Sequence, residues 1–299
     1  MLSIGEIIRT NRVKQKISQE ELCFGICSLS SISRIENGAQ APSRVTYEAL
    51  MERLGQAPEI FPSFKSDKEL KAFRLKHQIN QALRSGNLDN AEKLVNELES
   101  MHKLERVYRQ LILHARVLLA MHRGEPPDEI LEAMKNVAAM SIEDFSSDKI
   151  LSHVLSKDDL VILENLASAH HDAGEKDTAI EILYAVKKYI EMKVVDDEGV
   201  TPMYTALLHP LTNWIGMKGQ HEEVISLCDE GIKRCIEYGA YRSFAALLFN
   251  KGYALVMLDK KDEAKKYLQE AYFINRARGE ENLCEICLDF AEENGIKLL

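Results

Sequence analysis

The chain has 299 residues, 45% of them apolar and 28% charged, which suits a soluble protein with a sizeable core. With only 15 Gly and 7 Pro, long helices are expected rather than a turn-rich β fold. The longest apolar stretch, 111–121, is interrupted by His114 and Arg116, and no basic segment with an apolar run follows Met1, so neither a membrane span nor a signal peptide is expected. The net charge of −9 is uneven: residues 1–54 hold seven Lys/Arg against six Asp/Glu, and the remainder 31 against 41. An acidic body repels phosphate, so any nucleic-acid contact must come from the N-terminal segment. Six scattered cysteines fit a reducing cytoplasm.

Residues 4–16 have helical spacing, with Ile4, Ile7 and Ile8 opposed to Arg9 and Arg12. Ser18-Gln19-Glu20-Glu21 is a capping box that starts a short second helix with Leu22 on its buried side. Gly25-Ile26-Cys27 predicts a turn, and Ser28 caps a third helix running to Glu36, where Asn37-Gly38 stops it because both residues tolerate positive φ. Pro42-Ser43 opens a fourth helix through Tyr47, Leu50 and Leu54. Short helices joined by a tight turn describe a helix-turn-helix DNA-binding domain.

The strings Ser-Gln-Glu-Glu-Leu (18–22), Ser-Ile-Ser-Arg-Ile-Glu-Asn-Gly (31–38) and Pro42-Ser43 resemble the phage-repressor/Cro-like family over about a fifth of the chain. The turn between the second and third helices is one residue shorter than that family's commonest pattern. The resemblance implies that the third helix lies in the major groove, with Leu29, Ser30, Ser31, Ser33 and Arg34 facing DNA and Gln19 beside a phosphate. Of these, Arg34 is the best base reader, since a guanidinium matches guanine O6 and N7 bidentately. The resemblance also pairs Arg12 with Glu36 as an internal salt bridge. A helix-turn-helix used only for protein contacts is the alternative.

Residues 55–66 contain Pro58 and Pro62 and break the helical pattern. The expected division is a DNA-binding domain over 1–57, a linker over 58–66 and a repeat domain over 67–299. In the last segment one phrase recurs: a helix, a Gly or substitute, then a small residue five positions later in a second helix. It appears as Gly86…Ala91, Gly174…Ala179, Gly219…Val224 and Asp259…Ala264, with a weaker copy at Gly124, where Pro126-Pro127 start the second helix. This is the hairpin of tetratricopeptide-like repeats, although the spacings of 38, 50, 45 and 40 exceed the roughly 34 of a regular array. About five repeats and a capping helix near 281–297 are expected, giving an all-α chain: a Cro-like helix-turn-helix domain followed by a tetratricopeptide-like α-solenoid. A plain helix bundle is the alternative.

This architecture resembles the peptide-responsive regulators of Gram-positive bacteria, the Rgg, PlcR and PrgX relatives. The resemblance implies a repeat groove that binds a short signalling peptide and a homodimer that binds palindromic operator DNA. With the turn residue at repeat position fifteen, Asn165 and Asn250 fall at the sixth position and Asn80 and Asn213 at the ninth, on the first helices that line such a groove. Asn supplies both donor and acceptor to an extended peptide, and Phe249 and Tyr253 can accept its apolar side chains. Each asparagine alone is more often a packing or capping residue than a ligand, and it is their shared register that favours the set.

Other chemistries find little support. Cys284-Glu-Ile-Cys287 has half a zinc site's spacing with no second pair nearby, Cys228 and Cys235 share one helix face, and Cys23 and Cys27 read as small apolar residues. His170-His171 lacks a Glu at zinc-protease spacing, and no nucleotide-binding glycine loop or nucleophile elbow occurs. No catalytic residue, metal or cofactor is expected. The leading reading is a cytoplasmic, dimeric, peptide-sensing transcription regulator with no membrane partner. The alternatives are a repeat scaffold for a protein partner tethered to DNA, and a regulator controlled only by its own abundance.

Overall fold

The computed structural model describes residues 3–56, 63–193 and 197–299, with the backbone alone for Lys193 and residues 197–199. Of the linker expected at 58–66, residues 58–62 lie outside the described residues. A serine caps each of the first four helices: α1 (Ile4–Lys14), α2 (Gln19–Cys23), α3 (Leu29–Glu36) and α4 (Arg44–Arg53). Ser18 Oγ accepts from the Glu21 amide at 3.1 Å while Glu21 Oε2 accepts from the Ser18 amide at 2.7 Å, and Ser3 and Glu6 repeat the arrangement at α1. Such caps satisfy donors that a helix leaves open at its start, which is how segments this short hold their ends. Their apolar faces converge on Ile8, Leu22, Ile32, Ile35, Tyr47, Leu50 and Leu54, all essentially solvent-free. Each such side chain contributes about 1.5–3 kcal/mol of burial.

The rest of the described chain is helical: α5 (Asp67–Arg84), α6 (Leu88–Glu99), α7 (Arg106–His122), α8 (Pro127–Ala139), α9 (Lys157–Asp172), α10 (Lys176–Lys193), α11 (Asp197–Met217), α12 (His221–Tyr238), α13 (Phe244–Met257), α14 (Lys261–Ala277) and α15 (Glu281–Glu293). Gly86, Gly124, Gly174, Gly219 and Asp259 stand at the turns closing α5–α6, α7–α8, α9–α10, α11–α12 and α13–α14, each with φ between +61° and +89°. A left-handed residue lets the chain reverse at once after a helix, so the sequence phrase marks successive helical hairpins. The small residues five positions later, Ala91, Ala179, Val224 and Ala264, are at most 1% exposed, as close helix pairing requires. Among the described residues there is no strand, and no helix is long and apolar enough to cross a membrane.

Two compact units result, Met1–Tyr189 and Ile190–Leu299. In the first, α1–α4 pack directly on the repeats. The core cluster that contains Ile32 and Leu50 continues through Leu75, Ile79, Val107 and Ile112. Gly25 (φ +73°) belongs to this seam, because a Cβ there would lie 2.6 Å from both the Met140 carbonyl oxygen and Ser141 Cα. In the second unit, α13, α14 and α15 close around Leu248, Leu255, Leu268 and Cys287.

Candidate nucleic-acid interface

Helix α3 has two sides. Ile32, Ile35 and Glu36 point inward, while Ser30, Arg34 and Asn37 are exposed and Ser33 is half-exposed between them. These outward positions recur at helical spacing and form one strip. Leu29 is 52% exposed at its start, an unusual place for a large apolar side chain and one suited to a thymine methyl. Ser31, by contrast, is half-buried and lines a cavity of about 290 Å³ between α3, α4 and the start of α7. Its hydroxyl, like that of Ser30, hydrogen-bonds Ser28 Oγ. The strip therefore carries Ser30, Ser33 and Arg34 of the expected readers. It adds Asn37, which the sequence offered only as a helix stop.

Behind the strip, Glu36 is nearly solvent-free and gathers three donors: Arg12 Nε at 2.6 Å, Arg12 Nη2 at 2.8 Å and Gln19 Nε2 at 2.7 Å. Burial opposes the charge on Glu36, but the hydrogen bonds from Arg12 and Gln19 outweigh it and hold the carboxyl below its ordinary range. Arg12 also donates to the Ile17 carbonyl at 2.9 Å, so one ion pair ties α1, the start of α2 and the end of α3 together. Gln19 is thereby held at the first position of α2, half-buried and anchored to Glu36.

A residue that sequence reasoning missed fixes this module on the repeats. Arg53, at the end of α4, is 4% exposed. One of its nitrogens, Nη1, donates to the carbonyls of Leu22 (3.3 Å), Glu21 (3.4 Å) and Phe24, capping the end of α2. The other, Nη2, donates to the Ser141 carbonyl at 3.0 Å and to Asp159 Oδ2 at 3.1 Å, in the α8–α9 connection and α9. Asp159 is satisfied further by the Ser156 amide and hydroxyl (2.8 and 2.7 Å) and by the Ser141 hydroxyl. At the other end of α4, the Ser43 and Thr46 hydroxyls donate to Glu105. No local pattern reveals Arg53, whose partner lies 106 residues away.

The expected peptide residues divide between the two units. In the first, Asn80 lines a pocket with Leu83, Gln110, Leu111, His114 and Asp158, and Asn165 Nδ2 donates to His114 Nε2 at 3.0 Å. Burial pushes the His114 imidazole down to about 4, so it is neutral and able to accept. In the second, Asn250 Nδ2 donates to Thr212 Oγ1 at 2.9 Å and to the His209 carbonyl at 3.3 Å. Both sixth-position asparagines thus bind the fifth-position histidine of the preceding repeat, one through its ring and one through its backbone. Asn213 is exposed beside Thr212. Phe249 and Tyr253 both pack on Phe290, with ring centroids 5.6 and 5.2 Å away. Among the described residues no group of three or more His, Cys, Asp or Glu is placed to hold a metal ion.

Residues 8–61 match the helix-turn-helix family model. No curated protein matches the sequence. Among solved structures, the chain is similar to Bacillus thuringiensis PlcR in complex with the peptide PapR7 and DNA, at 16% identity and a TM-score of 0.64, covering 95% of this chain and 98% of that one. It is also similar to the apo form of the competence regulator ComR from Streptococcus vestibularis, at 16% identity and a TM-score of 0.56, covering 98% of each chain. A third likeness is to ComR from S. thermophilus with DNA and its signalling peptide, at 15% identity and a TM-score of 0.52, covering 98% of this chain and 100% of that one. At these identities the likeness is one of fold. The N-terminal segment is a helix-turn-helix domain, and the chain shares the all-α fold of these proteins over nearly its whole length.

Proposed function

We propose that the chain is a sequence-specific transcription regulator that reads double-stranded operator DNA with α3 and senses a short oligopeptide through its repeats. In this reading residues 1–57 bind DNA, 58–66 connect, and 67–299 form the sensor. The observation that carries it is the outward strip Ser30–Ser33–Arg34–Asn37, with the Arg12–Glu36 pair bracing α3 from behind and Arg53 fixing the end of α2 on the repeats. Arg34 reads a guanine, Ser30 and Ser33 bond bases or phosphates, and the Gln19 end of α2 rests against the backbone. The peptide reading is supported by the fold shared with PlcR and ComR, whose structures hold a peptide and DNA, and by Asn80 in its pocket and exposed Asn213. One small domain buries too little surface for tight specific binding, so the working form is a cytoplasmic homodimer with two reading helices about one DNA turn apart. The chain is assigned no catalytic role.

Selection of bound duplexes from a random pool by the full-length chain tests the DNA reading. An enriched inverted repeat is expected. Retention of DNA without enrichment of any sequence would overturn it. Displayed random short peptides test the sensor: enriched peptides should bind in calorimetry at one per chain and change affinity for the selected duplex, and Asn80→Ala or Asn213→Ala should weaken them. Peptides that bind yet leave DNA affinity unchanged would contradict the coupling.

A further inference from the structure

Residues 55–299 are acidic as a whole, yet phosphate responds to local charge, and one place on the repeats departs from the average. From His102 to Arg109 the sequence carries Lys103, Arg106 and Arg109 against Glu105 alone. All three cations are exposed, and among the described residues none of them enters a salt bridge. The acids beside them are already engaged. Glu105 accepts the Ser43 and Thr46 hydroxyls at 2.6 and 2.5 Å, and Glu99 pairs with Arg116 at 2.7 Å. This patch adjoins the reading helix. Arg106, the first residue of α7, lines the 290 Å³ cavity with Ser28 and Ser31 at the start of α3, Gln40 in the loop that follows, and Lys65. Arg109, three residues on and so on the same side of α7, borders an open hollow with His102 and Lys103. With about 3.6 residues per turn, Ser31 falls between Arg34 on the outer strip of α3 and Ile35 in the core. The cavity and its cations therefore flank the strip along its Arg34 edge. Gln19 stands on the opposite flank, where it is bonded to Glu36. A helix seated in a major groove about 12 Å wide has a sugar-phosphate strand on each side.

We propose that Lys103, Arg106 and Arg109 form a second nucleic-acid surface, on the repeats, which binds the phosphates along one wall of the groove that α3 reads. The inference rests on the DNA reading above and extends it beyond the helix-turn-helix module. The Gln19 end of α2 takes the strand on one side of α3, and the start of α7 takes the strand on the other. The three cations neutralise phosphates and touch no base, so they add affinity and fix the register of the module without adding sequence preference.

The test compares the full-length chain with the variant Lys103→Gln/Arg106→Gln/Arg109→Gln on the duplex that the wild type selects. Binding is titrated over a series of salt concentrations, and ethylation of the phosphates shows which of them binding needs. Each phosphate neutralised on B-form DNA contributes about 0.9 to the slope of log affinity against log salt, so the variant's slope should be shallower by about 2–3. The variant should select the same sequence and lose the ethylation requirement along one wall of the groove in each half-site. Arg106→Lys/Arg109→Lys should keep the slope, which counts charge and not guanidinium shape. A variant with wild-type helix content, slope and interference pattern would overturn the proposal. A shallower slope with an unchanged pattern would too, since the cations would then act only as a distant field. Wild-type interference confined to the Gln19 side would overturn it without any variant having to fold. Failure of the wild type to select any sequence would instead remove the DNA reading, and this inference with it.

Discussion

Two regions of the molecule, one in each unit, are held by opposite means. At the seam between the helix-turn-helix module and the repeats, Arg53 and Asp159 form an ion pair at 1% and 3% side-chain exposure, surrounded by Ser141, Ser156 and the α2 carbonyls. Nearby, burial and the Asp158 charge push the Glu52 carboxyl up to about 7. In the second unit, α13, α14 and α15 join through aliphatic and aromatic side chains, with Leu268 seated against Gly252. An apolar contact is tolerant of register, which suits the stacking of one hairpin on another. A buried charge pair rewards one arrangement alone, which suits a junction where two unlike pieces must meet at a fixed angle and leave α3 uncovered.

Breaking the polar seam should have the largest effect. Arg53→Met strands Asp159 and the α2 carbonyls, and should cost about 3–5 kcal/mol in chemical unfolding followed by helix content. The double variant Arg53→Met/Asp159→Leu should recover much of that loss, because no charge is then left buried alone. A single-variant cost below about 1 kcal/mol would mean that apolar contacts hold the seam unaided. In the apolar region, Leu268→Ala should cost about 2–5 kcal/mol, with the spread set by how far α13 and α14 collapse into the gap.

A pH series sharpens the same contrast. His114 has its folded value lowered to about 4 from 6.5 by burial, so the folded state binds fewer protons than the unfolded one. Its contribution is complete above about pH 6.5 and is lost as the pH falls toward 4, by about 3 kcal/mol. Glu52, raised by burial, works in the opposite direction, losing stability as the pH rises toward 7. The difference in unfolding free energy between wild type and His114→Gln isolates the histidine. A difference independent of pH between 4 and 6.5 would show that His114 is not buried as a neutral base.

The smallest effects separate asparagines that tie one repeat to the next from one that is exposed. Asn250→Ala, which removes the bond to Thr212 Oγ1, should cost about 1 kcal/mol. The exposed Asn213 replaced by Ala should stay within about 0.5 kcal/mol of wild type by the same unfolding measurement. Equal losses would mean that Asn213 is another tie between repeats.

These contrasts show what a linear reading reaches. The serine caps at 18, 28 and 43 and the turns at Gly86, Gly124, Gly174, Gly219 and Asp259 were legible because each depends on a few adjacent residues. The longest repeat spacing, 50 residues from Gly124 to Gly174, showed in the sequence only as a departure from a regular period. It is instead the loop between α8 and α9, with a 3-10 turn at Ile150–Ser152, that supplies Ser141 and Ser156 to the Arg53 seam. Arg53 itself was invisible, since nothing near it in sequence predicts an acidic partner on α9. The register of Asn165 and Asn250 was readable, but their bonds to the preceding repeat were not, because a helical position shows which face a side chain occupies and not what meets it.

The central claim is that the outer strip of α3 reads bases, and Arg34→Ala tests it most directly. Its side chain is exposed, so the fold and unfolding midpoint should be unchanged. In selection from random duplexes and titration of the selected site, the variant should lose about 1–3 kcal/mol of affinity and relax its preference at one base pair in each half-site. A folded variant that selects the same sequence with the same affinity as wild type would contradict the account, and the reading face would have to lie elsewhere.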